Sequence, residues 1–189
     1  MRISSALIIG IILASAVSAQ SGYPSYPSQT EQQPVCNGLL NAPLFSRDDP
    51  RWSYLRNSQG IVLSQATHAI ASALNAIGAH FSGQQVTPAI FNNWLVSIRG
   101  YDINSQPRFD LLPSLGLSYV RQASNPEDAA KAVCAGFVVI ISSQAPNGVW
   151  NWGPVVRWGV EQGYSTFYTP GPYRISAAFI RQAWIFRRL

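Results

Sequence analysis

The sequence predicts an α+β fold in which helices come first along the chain and a small antiparallel sheet follows. Two observations predict it. Residues 62–136 carry apolar side chains at helical spacing, in segments that end at or near glycines, and two of these segments begin with a helix-start signal. From Phe137 onward, short β-branched and aromatic runs are separated by glycine, proline and asparagine. With 189 residues, the chain is long enough for one domain with a hydrophobic core.

Residues 1–19 have the features of a secretory signal peptide. Arg2 precedes a mostly apolar stretch, and Val17 and Ala19 suit a cleavage point after Ala19. The apolar stretch is shorter than the ~20 residues of a membrane-spanning helix, which favours cleavage over an uncleaved anchor. Because no later stretch is apolar for long enough, we expect a secreted, extracellular protein without a membrane span in the mature chain.

Residues 20–35 are rich in Gln, Ser, Pro and Tyr and show no apolar periodicity. Such a segment buries too little surface to order itself, so we predict a flexible tail. The folded domain is then expected over residues 36–189, as a single unit.

Four helices are predicted in the order of the chain. The first covers residues 62–77 and stops at Gly78. The second begins at a Thr-Pro pair that suits an N-cap and a first helical position, and it covers residues 87–100. A short helix is expected over residues 110–115. The fourth covers residues 125–136, with an Asn-Pro start, acidic residues in its first turn and a terminal glycine.

Three strands are predicted after these helices. Residues 137–143, 153–162 and 165–170 are β-branched or aromatic runs, and Gly163 suits a tight turn between the last two. Residues 173–189 leave two alternatives open, because their first part fits a helix and their last part fits a closing strand.

The charges and histidines exclude some classes of partner. Thirteen basic and eight acidic residues give a net charge of +5, but the arginines are scattered and form no basic stripe. This disfavours a nucleic-acid-binding surface. The histidines, His68 and His80, are far apart and acidic residues are few, so neither a metal site nor another cofactor is expected.

The chain has two cysteines, Cys36 and Cys134. In a secreted protein such a pair favours one disulfide bond. The alternative is a catalytic thiol at Cys134, although no base flanks it in sequence.

Several stretches resemble the C39-like peptidase domain, which has the papain fold. Residues 43–52, "PLFSRDDPRW", resemble the opening "Q-x-D-P-x-W" segment of that family, and residues 64–74, "SQATHAIASAL", resemble its "G-C-G-P-T-S" run into the central helix. Residues 108–120, 132–142 and 152–172 resemble its later helices and strands. The likeness covers about residues 42–184 and implies a papain-like fold.

The resemblance also implies where the catalytic groups of the family would lie. The cysteine position falls on Gln65, the histidine on Gly153, the orienting acid on Thr169 and the oxyanion glutamine on Arg47. A cysteine peptidase needs a thiolate, an imidazole and a group that orients it. None of these is present at the matching positions, so the resemblance implies a pseudoenzyme with no catalytic residues.

Four residues are candidates for lining a binding groove. His68 follows Gln65 by nearly one helical turn and is expected on the same helix face, either as a polar groove residue or as a displaced base. Trp150 and Trp152 share one strand face if that segment is extended, and tryptophan suits both core packing and ligand binding.

Three functions follow from these observations. The first is a secreted, catalytically inactive C39-like protein that binds a peptide or protein ligand. The second is an active cysteine hydrolase or transferase with a relocated site at Cys134 or His68. The third is a structural or surface-adhering secreted protein that attaches through the tail.

Overall fold

The structure, a computed structural model, describes residues 35–171 and 173–189. The predicted signal peptide and the predicted tail up to residue 34 lie outside the described residues. The described part is a mixed fold of helices and antiparallel sheets. Its elements are, in chain order, β1 (Cys36–Asn37), α1 (Gln65–Ala76), β2 (His80–Phe81), β3 (Gln84–Gln85), α2 (Pro88–Ser97), a 3₁₀ helix (Phe109–Leu115), β4 (Leu117–Gln122), α3 (Pro126–Cys134), β5 (Val138–Gln144), β6 (Trp150–Pro154), β7 (Arg157–Glu161), β8 (Tyr164–Tyr168), β9 (Arg174–Ser176), a 3₁₀ turn (Ala177–Phe179) and β10 (Ile180–Arg188).

Each of the three α-helices of the described residues begins after a capping side chain. The sequence predicted the starts of α2 and α3, whereas α1 begins at Gln65 and not at residue 62 as predicted. Ser64 Oγ accepts from the Thr67 N–H at the start of α1. Thr87 caps α2, and Asn125 caps α3, each through a hydrogen bond to a backbone N–H of the first turn. Because such caps satisfy donors that have no partner inside the helix, they fix where each helix starts.

The strands form two four-stranded antiparallel sheets, with the orders β4-β10-β5-β6 and β1-β7-β8-β9, and a small β2–β3 hairpin. The sequence predicted one small sheet, with a single strand over residues 153–162. That segment is instead shared between the two sheets. The Val155 N–H donates to the Val139 carbonyl at 2.7 Å, whereas the next N–H, of Val156, donates to the Tyr168 carbonyl at 2.8 Å. The chain therefore changes sheets between these two residues.

The C-terminal segment is a strand, and the helical alternative for its first part is wrong apart from the 3₁₀ turn. β10 lies in the middle of its sheet, between β4 and β5. Its side chains alternate between two core clusters: Ala183 and Ile185 belong to one, and Trp184 and Phe186 to the other. Side chains that are buried alternately on two faces, with a period of two residues, are typical of a strand and not of a helix.

The core consists of two clusters on opposite faces of β5. Val138 and Ile140 pack in the first cluster with α1 and α2. Val139 and Ile141 pack in the second, with α3 and the β8 residue Phe167. The sheet that contains β5 thus lies between the two clusters. No helix among residues 35–171 and 173–189 is long and apolar enough to cross a membrane.

Cys36 and Cys134 form a disulfide bond, with their Cα atoms 4.9 Å apart. The bond was predicted from the pair of cysteines in the sequence, and it joins β1 to the end of α3. It also excludes the alternative of a catalytic thiol at Cys134, because a sulfur atom in a disulfide is not available as a thiolate nucleophile.

Candidate binding site

A cavity of about 400 Å³ opens beside the N-terminal end of α1. One face of α1 forms its floor, with Gln65, His68, Ala69 and Ser72 at the spacing i, i+3, i+4 and i+7. The other walls come from residues 43–48, from the loop and strand over residues 145–154, and from the segment that follows β8. The lining residues in those walls are Pro43, Leu44, Phe45, Ser46, Arg47, Asp48, Ala145, Asn147, Val149, Trp150, Asn151, Trp152, Gly153, Pro154, Thr169, Pro170 and Tyr173.

The cavity brings together the residues that were matched to catalytic positions of the family and those that were named as groove candidates. The four positions that the resemblance matched to catalytic groups line it, and so do the other three groove candidates. These residues are Arg47, Gln65, His68, Trp150, Trp152, Gly153 and Thr169. Sequence reasoning missed Ala69 and Ser72, although their helical spacing from Gln65 was a sufficient signal. His80 is exposed in β2 and is not among the lining residues.

Gly153 and Thr169, which both line the cavity, approach each other closely. A Cβ atom on Gly153 would lie 3.0 Å from Thr169 Cβ and 3.2 Å from its Cγ2. Thr169 is itself buried, and its N–H donates to the Tyr173 carbonyl at 3.3 Å. A side chain at position 153 would therefore need Thr169 to shift.

His68 is an uncharged hydrogen-bond acceptor in this cavity. Its side chain is 3% exposed, and its Nδ1 lies 3.0 Å from the Ser64 carbonyl oxygen. Because a carbonyl only accepts, Nδ1 carries the proton, and Nε2 of the neutral ring has the lone pair. Burial lowers the pKa of His68, an effect to which the Arg47 charge adds, while the Ser64 hydrogen bond and Asp48 oppose it. The Nε2 atom is buried without a hydrogen-bond partner.

Gln65 provides a second buried acceptor without a partner. Its side-chain Oε1 is inaccessible and receives no hydrogen bond within the described chain. Gln65 and His68 are neighbours on the same face of α1. Two unsatisfied acceptors on adjacent positions are unusual, because most buried polar side-chain atoms in proteins have a partner.

The two tryptophans of the cavity have different surroundings. Trp152 stacks on Trp184 of β10, with ring centroids 4.6 Å apart, so packing fixes this ring as part of the wall. Trp150 is 41% exposed at the edge of the cavity. Of the two tryptophans, Trp150 is therefore the one with side-chain surface free for a ligand.

The charges around the cavity lie on its rim. Among the described residues, Asp48 is the only carboxylate in the lining, and its side chain is 91% exposed. The Arg47 side chain is 52% exposed, and its Nε lies 4.0 Å from Asp48 Oδ1. The neighbouring Asp49 is not available to a ligand, because it accepts from the Arg51 guanidinium at 2.6 Å. An exposed pair such as Arg47–Asp48 contributes little to stability.

The lining offers binding groups without an activated nucleophile. It contains no cysteine, and Ser72 Oγ donates to the Pro43 carbonyl at 2.5 Å, which places its proton away from any base. His68 Nδ1 bonds a backbone carbonyl instead of a carboxylate. Within the described residues, no three His, Cys, Asp or Glu side chains cluster as a metal site would require.

In comparisons with known proteins, no family model matches the chain and no curated protein matches its sequence. The function of the chain is therefore inferred from the fold and from the cavity beside α1.

Proposed function

We propose that the chain is a secreted protein with a C39-like, papain-type scaffold that binds a peptide or protein ligand in the cavity beside α1 without cleaving it. One observation carries the proposal. Arg47, Gln65, Gly153 and Thr169, which replace the catalytic groups of that family, are far apart in sequence and yet line one cavity at the head of a buried helix. Convergence of this kind supports the alignment on which the resemblance depends.

The secondary structure around the cavity also supports this scaffold. Gln65 is the first residue of α1, where a papain-type nucleophile would use the partial positive charge of the helix end. Gly153 lies on β6, and Thr169 directly follows β8. A helix end that faces two strand positions is the arrangement that the chemistry of a cysteine peptidase needs.

The free edge of β6 favours an extended peptide as the ligand. The Val155 N–H and the Val149 carbonyl both bond toward β5. In an antiparallel ladder such residues alternate with residues that bond the other way, so the backbone groups of Trp150 and Trp152 face the opposite edge. Among the described strands, β6 is the outermost of its sheet on that side. An extended peptide can therefore pair with it beside the cavity.

The replaced positions favour binding over catalysis. A carboxamide at Gln65 is not a nucleophile, Gly153 has no side chain that could act as a general base, and Thr169 has no carboxylate. Loss of any one member of a catalytic triad already lowers the rate by orders of magnitude.

The proposal is tested with a peptide library that is screened for both binding and hydrolysis. We expect saturable binding without cleavage, and we expect Trp150→Ala to weaken that binding at least about tenfold. Tyr164→Ala is the matched control, because Tyr164 is an exposed aromatic residue, at 68%, outside the cavity lining. It should bind like the unaltered protein.

Two results would contradict the proposal. Peptide binding that Trp150→Ala and Tyr164→Ala weaken equally would place the ligand elsewhere. Hydrolysis that disappears in a Gln65→Ala, His68→Ala double variant would identify the cavity as an active site, and the protein would then be an enzyme with a relocated base.

A further inference from the structure

Four exposed apolar side chains surround the opening of the cavity. Leu44, Val149, Trp150 and Tyr173 all line it, and each of them is 41–51% exposed. Leu44 and Tyr173 adjoin each other, because Leu44 Cδ2 lies 3.1 Å and Tyr173 Cδ2 lies 3.4 Å from the point that a Cβ atom of Gly171 would occupy. We call these four residues the apolar rim. Apolar side chains grouped around a cavity are typical of a surface that removes apolar groups of a ligand from water.

The charges of the lining do not favour a charged ligand side chain at the apolar rim. Among the described residues of the lining, only Arg47 and Asp48 are charged, and Arg47 Nε lies 4.0 Å from Asp48 Oδ1. Their charges compensate each other, and their side chains are 52% and 91% exposed. A charged ligand group would lose water at the rim without gaining a free counter-ion, whereas an apolar side chain has no such cost.

The free edge of β6 offers two residues for pairing. The backbone groups of Trp150 and Trp152 face this edge, because the residues that alternate with them bond toward β5. The next residue that faces the same way is Pro154, which has no N–H to donate. A ligand strand can therefore exchange hydrogen bonds with Trp150 and Trp152, and the pairing ends at Pro154.

Pairing with these two residues fixes the faces on which the ligand side chains lie. In an antiparallel ladder, directly opposed residues have side chains on the same face, and this face alternates along each strand. The ligand residues opposite Trp150 and Trp152 therefore place their side chains beside those two rings, which line the cavity. The ligand residue between them lies opposite Asn151, on the other face of β6.

We propose that the site selects an extended peptide segment with the pattern apolar–polar–apolar, which adds to β6 as an antiparallel strand. The two apolar residues pair with Trp150 and Trp152 and bury their side chains against the apolar rim. The polar middle residue lies beside Asn151. This inference rests on the proposed function and names the class of peptide that the site takes.

Synthetic peptides that are titrated into the intact protein by calorimetry test the pattern. The reference is a nine-residue peptide of serine and threonine with leucine at positions four and six. A second peptide has the same composition, with its leucines at positions four and five. Two further peptides carry a backbone N-methyl group, either on the leucine at position four or on the residue at position five.

We expect the reference peptide to bind saturably. The peptide with adjacent leucines should bind at least about tenfold more weakly, because only one of its leucines can lie beside the tryptophan rings. Lysine or glutamate in place of the leucine at position six should weaken binding at least as much. Methylation at position four removes a donor to β6 and should weaken binding at least about fivefold, whereas the N–H at position five points away from β6 and its methylation should not.

Matched variants of the protein test the contact with the apolar rim. Leu44→Ser and Tyr173→Ser should each weaken binding of the reference peptide at least about fivefold. Leu40→Ser and Tyr164→Ser are the controls, because both residues are exposed, at 60% and 68%, and neither is among the lining residues. The two control variants should bind like the unaltered protein.

Three results would overturn the inference. They are equal binding of the two leucine patterns, equal effects of methylation at positions four and five, and equal effects of Leu44→Ser and Leu40→Ser. If peptides still bind at Trp150 in these cases, the proposed function stands and only the selection is contradicted. A library without any peptide that binds saturably would contradict the proposed function and this inference together.

Discussion

His68 shows how the surroundings of one residue change its chemical role. An exposed histidine near neutral pH is a candidate general base. Here the ring is 3% exposed, and Ser64 in the preceding turn fixes its proton on Nδ1. Burial lowers the pKa of the ring, so the neutral form is retained as the pH falls below the range in which an exposed histidine takes up a proton. The residue acts as a fixed acceptor.

The lowered pKa of His68 predicts a pH-dependent stability. In the unfolded chain the histidine titrates near its ordinary value of 6.5, and in the folded chain it titrates below that value. The folded state therefore binds fewer protons between the two values, so the stability that the neutral ring contributes is complete above pH 6.5 and falls as the pH decreases. Urea denaturation between about pH 5 and pH 7 should show this decrease.

Variants at the two histidines assign the effect. His68→Phe should have a flatter dependence of the free energy of unfolding on pH in that range, whereas His80→Gln should keep the dependence of the unaltered protein. Hydrogen bonds from arginines lower the pKa values of Asp49 and Asp110 from their ordinary value of 3.8. These two carboxylates therefore change the free energy of unfolding at a lower pH than the range of this test. A flatter profile in His80→Gln alone would contradict the assignment.

At the scale of elements, the segment after β1 is held against the point where β6 gives way to β7. The Gly38 N–H donates to the Val156 carbonyl at 2.9 Å, and the Leu39 N–H to the Val155 carbonyl at 3.0 Å. The disulfide fixes the same segment to α3. Because residues 43–48 form a wall of the cavity, these contacts anchor one end of that wall.

Gly38→Ala should destabilise the protein strongly. A Cβ atom at this position would overlap the Val155 carbonyl oxygen, which belongs to the backbone and cannot rotate away. We expect the free energy of unfolding to fall by at least about 2–3 kcal/mol. Gly159→Ala in β7 is the control, because its Cβ would meet only Val35 Cγ2 at 3.6 Å, and it should change stability by less than about 1 kcal/mol. Equal losses in the two variants would contradict the close approach.

Sequence reasoning predicted the elements whose signals are local. The caps at Thr87 and Asn125 act within one helical turn, so the starts of α2 and α3 were predicted from the sequence. The start of α1 was predicted three residues too early, because the cap at Ser64 was not recognised. The change of sheet after Val155 was not predicted, because it depends on which distant strand each N–H meets. β10 was ambiguous for the same reason, since its pairing with β4 and β5 decides between helix and strand.

The candidate site was predictable to a similar extent. The helical spacing of Gln65 and His68 is by itself enough to place them on one face of α1. Whether their buried atoms have partners depends on every wall of the cavity, which sequence spacing does not describe. The contact of Gly153 with Thr169 likewise depends on how two strands approach.

At the scale of the whole molecule, one strand joins the two halves of the core. Neighbouring residues of β5 point into different clusters, so Ile140 packs with α1 and Ile141 packs with α3. Neither cluster can lose its packing without exposing one face of the same strand. We therefore expect the described domain to unfold as one cooperative unit.

Matched substitutions on β5 test this cooperativity. Ile140 and Ile141 are both fully buried, at 0% exposure, and each alanine variant should lose about 2–5 kcal/mol of stability. In both variants, tryptophan fluorescence and far-ultraviolet circular dichroism should report the same unfolding midpoint. Separate midpoints in either variant would show that the two clusters unfold independently.

The close contact between Gly153 and Thr169 also has an evolutionary consequence for the proposed scaffold. A side chain at position 153 would press on Thr169 Cβ, so Thr169 must shift or be replaced by a smaller residue to accommodate it. The two positions are coupled, because the residue that position 153 can accommodate depends on the residue at position 169. Substitutions at the two positions are expected to be epistatic, so a larger residue at position 153 is tolerated best together with a smaller one at position 169.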